Sequence, residues 1–387
     1  MRVLVIHNFY RSENASGENL SVRDEIDGLR SLGWEVEALT ADSDVIGLGH
    51  VPLHDLAIRP IYSRRSVLRV REAIRRFRPH VALVENLFPL HSPWVVRTLH
   101  DADVPVAAGV RSYRMVCVKS TLFRDGEACR DCIGSRFNLP AIRHGCYQNS
   151  RTRSVPMAAS LALHRSTFAS IDRFLAVSDH VRDEMIGAGF DAARIAVRPN
   201  FVDDPGEPDG ADGEGFVFAG RLTEDKGVAE MIDGWRRSEV WRHESLRIAG
   251  SGPLEGLVRD AAVDASVIPL GLVDHEEMME VVRDAAVTVV PSSWPEPFGR
   301  GVVEAAARAR PSLVSRRGGV AGLVVDDVTG WIVDPTPEGL AEGFRRAADR
   351  DARRRAGDAA RRRYLERYTR ESSLGVLDEH LRDLATR

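Results

Sequence analysis

The chain has almost no lysine. Of 53 basic residues only Lys119 and Lys226 are lysines and the rest are arginine, so a lysine inside a motif stands out. Acidic residues number 57 and the formal net charge is −4, which speaks against a nucleic-acid binder, whose domain carries a basic excess. No apolar run approaches the roughly 18 residues of a membrane-spanning helix. The stretch Met1–His7 has neither the long apolar region nor the small-residue cleavage site of a secretory leader, and the expectation is a soluble cytoplasmic protein. Cysteine is scarce as well, with four residues, all between positions 117 and 146. A bias toward disorder is missing: 387 residues, 43% apolar and 28% charged, suffice for two ordinary domains with full cores.

What is present alternates strand-length apolar runs with helical patterns, the order of a doubly wound parallel α/β sheet. Val3–Ile6 reads as a strand, followed by the loop 7–19 with Ser16, Gly17 and Glu18, a helix Leu20–Leu32 closed by Gly33, and a strand Val36–Thr40. Gly17 fits a phosphate-binding turn and a plain tight turn equally well. The helical stretch Arg64–Arg78 holds seven arginines against Glu72, with Val67, Leu68, Val70, Ile74 and Phe77 in an apolar stripe. It suits a membrane-surface or anionic-acceptor patch, or, more simply, the solvated face of a crossover helix. Strands then follow at Val81–Val84, leading to Glu85, Asn86 and His91; at Val104–Val110; at Arg173–Val177, ending in Ser178 and Asp179; and at Ile195–Val197, ending at Pro199 and Asn200. Loop residues that follow strands are the better site candidates. The stretch 203–215, with two prolines, four glycines and six acidic residues, has a linker's composition and places the domain boundary, giving domains 1–202 and 203–369.

Cys117, Cys129, Cys132 and Cys146 are spaced C-x11-C-x2-C-x13-C. Four thiolates with one CxxC pair match the ligand count of a closed, structural zinc site, which would leave no open position for bond chemistry. A redox-active CxxC and two disulfides are the alternatives.

The second half repeats one grammar: a short strand, then a crevice loop. Phe216–Ala219 runs into Gly220, Arg221 and Lys226-Gly227 ahead of a helix, setting two cations beside a helix N-terminus, where an anion meets fixed charges and a helix dipole of helpful sign. Leu246–Ala249 ends in Gly250-Ser251-Gly252-Pro253, and Val267–Leu270 ends in Gly271. The apolar run up to Val290 leads into Trp294–Glu304, which sets Glu296 in a turn made by Pro297 and Gly299, and Glu304 about one turn into the next helix. Ser312–Ser315 is the next strand. The arginine-rich stretch 340–368 and the final helix Ser372–Ala385 carry charges most simply read as a solvated face.

Phe218-Ala-Gly-Arg-Leu with Lys226-Gly227, Gly250-Ser-Gly-Pro253, and Glu296-Pro-Phe-Gly with Glu304, in this order and spacing, resemble the retaining nucleotide-sugar glycosyltransferases of family 4 over essentially the whole chain. The resemblance implies the GT-B fold, two Rossmann-like domains facing across a crevice, with residues 370–387 packing back on the first. It implies that Arg221 and Lys226 neutralise the departing diphosphate, that Glu304 holds the ribose and Glu296 the transferred sugar. Further donor contacts would come from Gly17, Gly220, Gly250, Gly252, Pro297, Phe298 and Gly299, and Val267 or Ile268 would meet the base. UDP is the default nucleotide and GDP the other, with no catalytic metal. The acceptor is a small-molecule, natural-product or glycan hydroxyl, and peripheral membrane contact is compatible with it. Relatives with a similar cysteine-bearing insert begin it with His-x-x-Arg; here Arg111-Ser-Tyr-Arg114 stands instead, and Arg111, Tyr113, Arg114, Ser178 and Asn200 are the candidate acceptor or sugar contacts. A GT-B epimerase or phosphorylase, or a non-catalytic sugar-nucleotide-binding partner protein, shares these features.

Overall fold

The computed structural model describes residues 1–11, 17–47, 52–208 and 212–387, so Ser16 lies outside the described residues. The chain forms two compact units, one from 1–122, 129–198 and 373–387, the other from 123–128 and 199–372. No helix among the described residues is long and apolar enough to cross a membrane.

In the order of the chain, the strands up to residue 198 are β1 (Arg2–Phe9), β2 (Glu35–Asp42), β3 (Val81–Val84), β4 (Val106–Val110), the short hairpin β5 (Phe123–Arg124) and β6 (Glu127–Ala128), β7 (Arg173–Ala176) and β8 (Ile195–Val197). Six of them form the sheet of the first unit in the order β2-β1-β3-β4-β7-β8, with every pairing parallel. Leu4, Ile6, Val81 and Ala82 are wholly buried, as in a parallel sheet covered on both faces. β1 outruns the apolar run Val3–Ile6: His7, Asn8 and Phe9 stay in register with Thr40, Ala41 and Asp42. The final helix, Arg370–Ala385, joins this unit from Ser373 onward and buries Leu374, Leu377, Leu381 and Leu384. Leu374 occupies space left by Gly28, where a Cβ would stand 2.3 Å from its Cδ1, and Trp34 Nε1 donates to Asp378 at 2.7 Å.

The second unit's sheet runs β11 (Val267–Gly271), β10 (Leu246–Ala249), β9 (Phe216–Ala219), β12 (Val287–Val290), β13 (Ser312–Ser315), β14 (Gly330–Val333), again all parallel. Its core centres on Phe216, Trp235 and Phe344, whose rings meet edge to face with centroids 4.9 to 5.3 Å apart. The helix Arg350–Arg367 departs from the expected solvated face. Arg353 and Arg361 are buried: Arg353 Nη1 donates to Glu244 at 2.9 Å, and Arg361 Nη1 to both Asp204 and the Ala307 carbonyl at 2.8 Å. A buried guanidinium persists only when paired in this way. Arg370 and Arg354 similarly hold Asp203 and Asp212, each at 2.7 Å, so the acidic stretch expected to be a free linker is tied down by arginines of the second unit.

Strand order reverses once in each sheet, between β1 and β3 and between β9 and β12. Ligands of open α/β sheets bind outside the carboxyl ends of strands at such a reversal.

Candidate functional site

In the second unit the reversal lies between the loops after β9 and β12. Beyond Gly220 and Arg221 the first of these makes a short turn, Glu224–Lys226, capped by Gly227 at φ 69°. A Cβ at Gly227 would stand 2.2 Å from the Pro291 carbonyl oxygen, so only glycine lets this turn press against the loop after β12. That contact brings Lys226 Nζ to 2.6 Å from Glu296 Oε1, with the two side chains 20% and 10% exposed. The Ser292 hydroxyl donates to the same oxygen, and the Trp294 ring lies 5.6 Å from Nζ. Burial pushes the Glu296 carboxyl up, but the Lys226 charge and the hydrogen bonds outweigh it and leave the group below its ordinary value. Lysine and glutamate thus form one preorganised, partly desolvated pair.

Glu304 stands in the helix Arg300–Ala307, which begins at Gly299. It is buried, and its Oε1 accepts from Arg300 Nε at 2.9 Å, with His275 Nε2 at 3.9 Å. Arg221 is open, its side chain 63% exposed and loosely paired with Asp225 at 3.2 Å. Phe298 is buried edge-on against Tyr368. Gly250 serves packing between loops: at φ 141° a Cβ would lie 1.8 Å from the Gly220 carbonyl oxygen, and Gly252 abuts the Leu222 carbonyl in the same way. Val267 and Ile268 are not brought to this edge. They start β11, with Val267 paired to Leu246 at the start of β10, whereas Gly271 at the strand's carboxyl end is the residue beside Gly250. At this edge stand Gly271 and Leu272, the latter 77% exposed.

The reversal in the first unit is built differently. Arg111 follows β4, and its side chain is 4% exposed. Its guanidinium donates to Glu25 and, at 3.0 Å, to Glu85, while Arg198 Nη1 donates to Glu25 at 2.6 Å. Gly109 makes room for this arrangement, since a Cβ there would lie 2.2 Å from Glu85 Oε1. Burial raises the Glu85 carboxyl to about 7 despite Arg111, whereas in Glu25 the two arginines overcome burial and the carboxyl stays low. Two cations face two carboxyl groups, so Arg111 does not extend a free charge toward an acidic substrate. His7 is wholly buried beside this cluster and is held neutral, its value lowered to about 3 by burial and then by Arg111.

Of the other candidates, Gly17 opens the helix Gly17–Ser31. Ser178 caps the helix Asp179–Gly187 by accepting from the Val181 N–H at 3.2 Å. Tyr113 is buried edge-on to His180, and Arg114 Nη1 reaches the Val118 carbonyl at 3.4 Å. Asn200 is buried in the second unit. Cys132 lies within electrostatic reach of Cys117, Cys146 and Cys129, and burial above all pushes its thiol up to about 11. None of the four cysteines is disulfide-bonded, and among the described residues no three His, Cys, Asp or Glu side chains are gathered to hold a metal ion. The structure therefore supports neither the expected zinc site nor the disulfide alternative.

Residues 16–200 match the family described as glycosyl transferase 4-like domain and residues 207–363 the family of glycosyl transferases group 1. The chain belongs to the family 4 glycosyltransferases. Its fold is GT-B. It is similar over 84% of its length, at 26% identity, to a D-inositol 3-phosphate glycosyltransferase of Pseudarthrobacter chlorophenolicus, of which 79% is covered. An uncharacterised glycosyltransferase of Methanocaldococcus jannaschii is 34% identical over 34% of the chain, and a glycogen synthase of Mycobacterium tuberculosis 33% over 38%; these matches span only 35% and 37% of those proteins. Among solved structures, sucrose-phosphate synthase of Thermosynechococcus elongatus superposes with a TM-score of 0.73 at 20% identity over 99% of both chains. HepE of Anabaena in complex with UDP superposes with a TM-score of 0.66 at 17% identity over 99% of this chain and 100% of that one. At these identities both structures speak to the fold alone. Sequence motifs single out Arg221, Lys226, Glu296 and Glu304, and Glu85 as a residue that follows a strand; they miss Ser292 and Arg300, which orient the two glutamates, and the Glu25 and Arg198 members of the Arg111 cluster.

Proposed function

We propose that this chain is a retaining, metal-independent hexosyltransferase that moves a sugar from a nucleotide diphosphate sugar to a hydroxyl of a small-molecule or glycan acceptor. The observation that carries the proposal is the Lys226–Glu296 pair, 2.6 Å apart at the strand-order reversal of the second unit, with exposed Arg221 on the same loop as Lys226. Lys226 and Arg221 meet the diphosphate, and their stabilisation grows as the bond to the leaving group breaks and negative charge accumulates on it. This cationic pair takes the place of a divalent ion. Glu296, held by Lys226 and Ser292, accepts from hydroxyls of the transferred sugar. Glu304, fixed by Arg300, accepts from the ribose. The acceptor oxygen bonds to the anomeric carbon as the carbon–oxygen bond to the diphosphate breaks, the bonding pair leaves with the phosphate, and the acceptor's proton passes to a phosphate oxygen on the same face. HepE's complex with UDP makes a UDP-sugar the first donor to try, with GDP-sugars next.

Calorimetric titration with UDP-, GDP- and dTDP-sugars, wild type beside Lys226→Ala, tests the donor site. Binding of one donor class, lost in the variant, is the expected result; binding of none overturns the assignment. Once an acceptor is found, the anomeric configuration of the product decides retention, and activity that withstands chelation decides metal independence. A new nucleotide sugar in place of a glycoside would mark an epimerase.

A further inference from the structure

The helix Arg64–Phe77 of the first unit turns one strongly basic face toward solvent. We propose that it docks the protein on an anionic lipid bilayer. Residues 64–78 carry seven arginines and one glutamate, six net positive charges in a chain whose total is −4, so the remainder is net negative by ten. Burial of Ser66, Val67, Val70 and Ala73 fixes the helix's rotation, which leaves Arg64, Leu68, Arg71 and Arg75 at spacings of four, three and four along the open face. Arg69 and Arg76 are occupied by the Thr40 carbonyl and Glu37, but Arg64, Arg65, Arg71 and Arg75 have no carboxylate or hydrogen-bond partner among the described residues. The helix Arg350–Arg367 is also rich in arginine, but there Arg353, Arg354 and Arg361 are spent on carboxylates, and exposed Asp351, Asp358 and Glu366 stand among the remaining arginines.

Apolar side chains identify the partner as a bilayer. Leu68, in the middle of the arginines, is 51% exposed. Tyr62, Ile58 and Leu163 are 40%, 55% and 61% exposed and gather beyond the start of the helix. There His164 lies 2.7 Å from the Ile61 carbonyl oxygen, and the Tyr62 ring stands edge-on to Trp94, itself edge-on to His164. A soluble polyanion binds through cations alone and gains nothing from bare leucine and isoleucine. A bilayer surface rewards both: anionic headgroups for the arginines, the acyl boundary for Leu68, Ile58 and Leu163, and the headgroup level for an amphipathic tyrosine. With few apolar side chains and no long apolar segment the attachment is peripheral and reversible, and it does not depend on the assignment of the donor site.

The test is co-sedimentation of the full chain with vesicles of phosphatidylcholine alone and of equimolar phosphatidylcholine and phosphatidylglycerol. The protein is expected to bind the anionic vesicles only and to leave them as salt rises. Each arginine contributes roughly fivefold to partitioning, so Arg64→Gln/Arg71→Gln/Arg75→Gln lowers it about a hundredfold. Leu68→Ser is expected to weaken binding severalfold with the salt dependence unchanged. Arg236→Gln/Arg237→Gln/Arg345→Gln removes the same charge from the second unit and is expected to bind as wild type. All replaced side chains are surface groups, and unchanged melting temperatures verify the fold. Three results overturn the proposal: no preference for anionic vesicles, equal losses in the two triple variants, or full vesicle binding by Leu68→Ser while retention on heparin follows the arginines, which assigns the face to soluble polyanions.

Discussion

Removing the Lys226 ammonium should destabilise the protein before any substrate is present. Lys226→Met leaves Glu296 buried, with the Ser292 hydroxyl and the Trp294 side chain against its charge. Breaking a buried pair from one side costs about 3–5 kcal/mol, and because these side chains are 20% and 10% exposed the lower figure, about 3 kcal/mol, applies. For a domain of this size that corresponds to roughly 6–12 °C in melting temperature. The loss depends on pH with a definite sign. In the wild type the Glu296 carboxyl lies below its ordinary value, so its contribution is present above the ordinary carboxylate range and disappears as pH falls through the lowered value. In the variant burial outweighs the remaining hydrogen bonds and raises the group, so the gap between the two proteins is widest at neutral pH and closes toward acid. Glu296→Gln on top of Lys226→Met removes the orphaned charge and should recover most of the loss. The assay is thermal or urea unfolding of wild type, single and double variants, without donor, across that pH range. A double variant as unstable as the single one, or a gap that does not move with pH, would refute the claim that the pair is desolvated and mutually dependent.

Four further outcomes follow, two in each unit. Glu304→Ala is expected to weaken donor binding with turnover at saturation largely kept, whereas Arg221→Ala should lower turnover by about 2–4 kcal/mol of transition-state stabilisation with a smaller change in affinity; steady-state kinetics beside calorimetry separates them. Arg111→Met takes the guanidinium from Glu85 and leaves Glu25 to Arg198 alone, the two side chains being 1% and 2% exposed, and should cost about 3 kcal/mol in denaturant unfolding. Because Glu85 is raised from 4.5 to about 7, the proton it retains favours the folded state at acid pH and that advantage is lost as pH rises through this window; the decline in melting temperature should be shallower in Glu85→Gln.

Much of the architecture was legible because parallel strands buried on both faces read as unbroken apolar runs. Val81–Val84, Phe216–Ala219 and Ser312–Ser315 fall where those runs fall. β14 was not legible, since Gly330 and Trp331 resemble a turn more than a strand, and the end of β1 was hidden by the polar pair His7 and Asn8. The second unit's site was visible because Lys226 and Glu296, though 70 residues apart, each sit in a local strand-to-loop pattern. The charge cluster of the first unit has no such pattern. Glu25 lies within a helix and reads as solvent-facing, yet it meets Arg111 and Arg198 across 86 and 173 residues. Nothing in the spacing predicts that Arg111 spends its charge internally. Val267 and Ile268 open β11, at the opposite end of that strand from Gly271, because a run of apolar residues does not show which of its ends meets the loops after β9 and β10.

The placement of the last helix bears on how the protein is made. Ser373–Arg387 belongs to the first unit, where Leu374 fills the space beside Gly28, Asp378 takes the Trp34 indole N–H, and the Ser373 carbonyl accepts from Arg198. During synthesis residues 1–198 therefore leave the ribosome with an apolar groove that nothing yet covers, and the whole second unit must be translated before its occupant arrives. The later unit, whose segments are nearly contiguous, is complete as soon as it emerges. Vectorial synthesis thus closes the domain that starts first only after the other, and a nascent chain stalled anywhere before Ser373 leaves that groove open to chaperones or to a neighbouring chain.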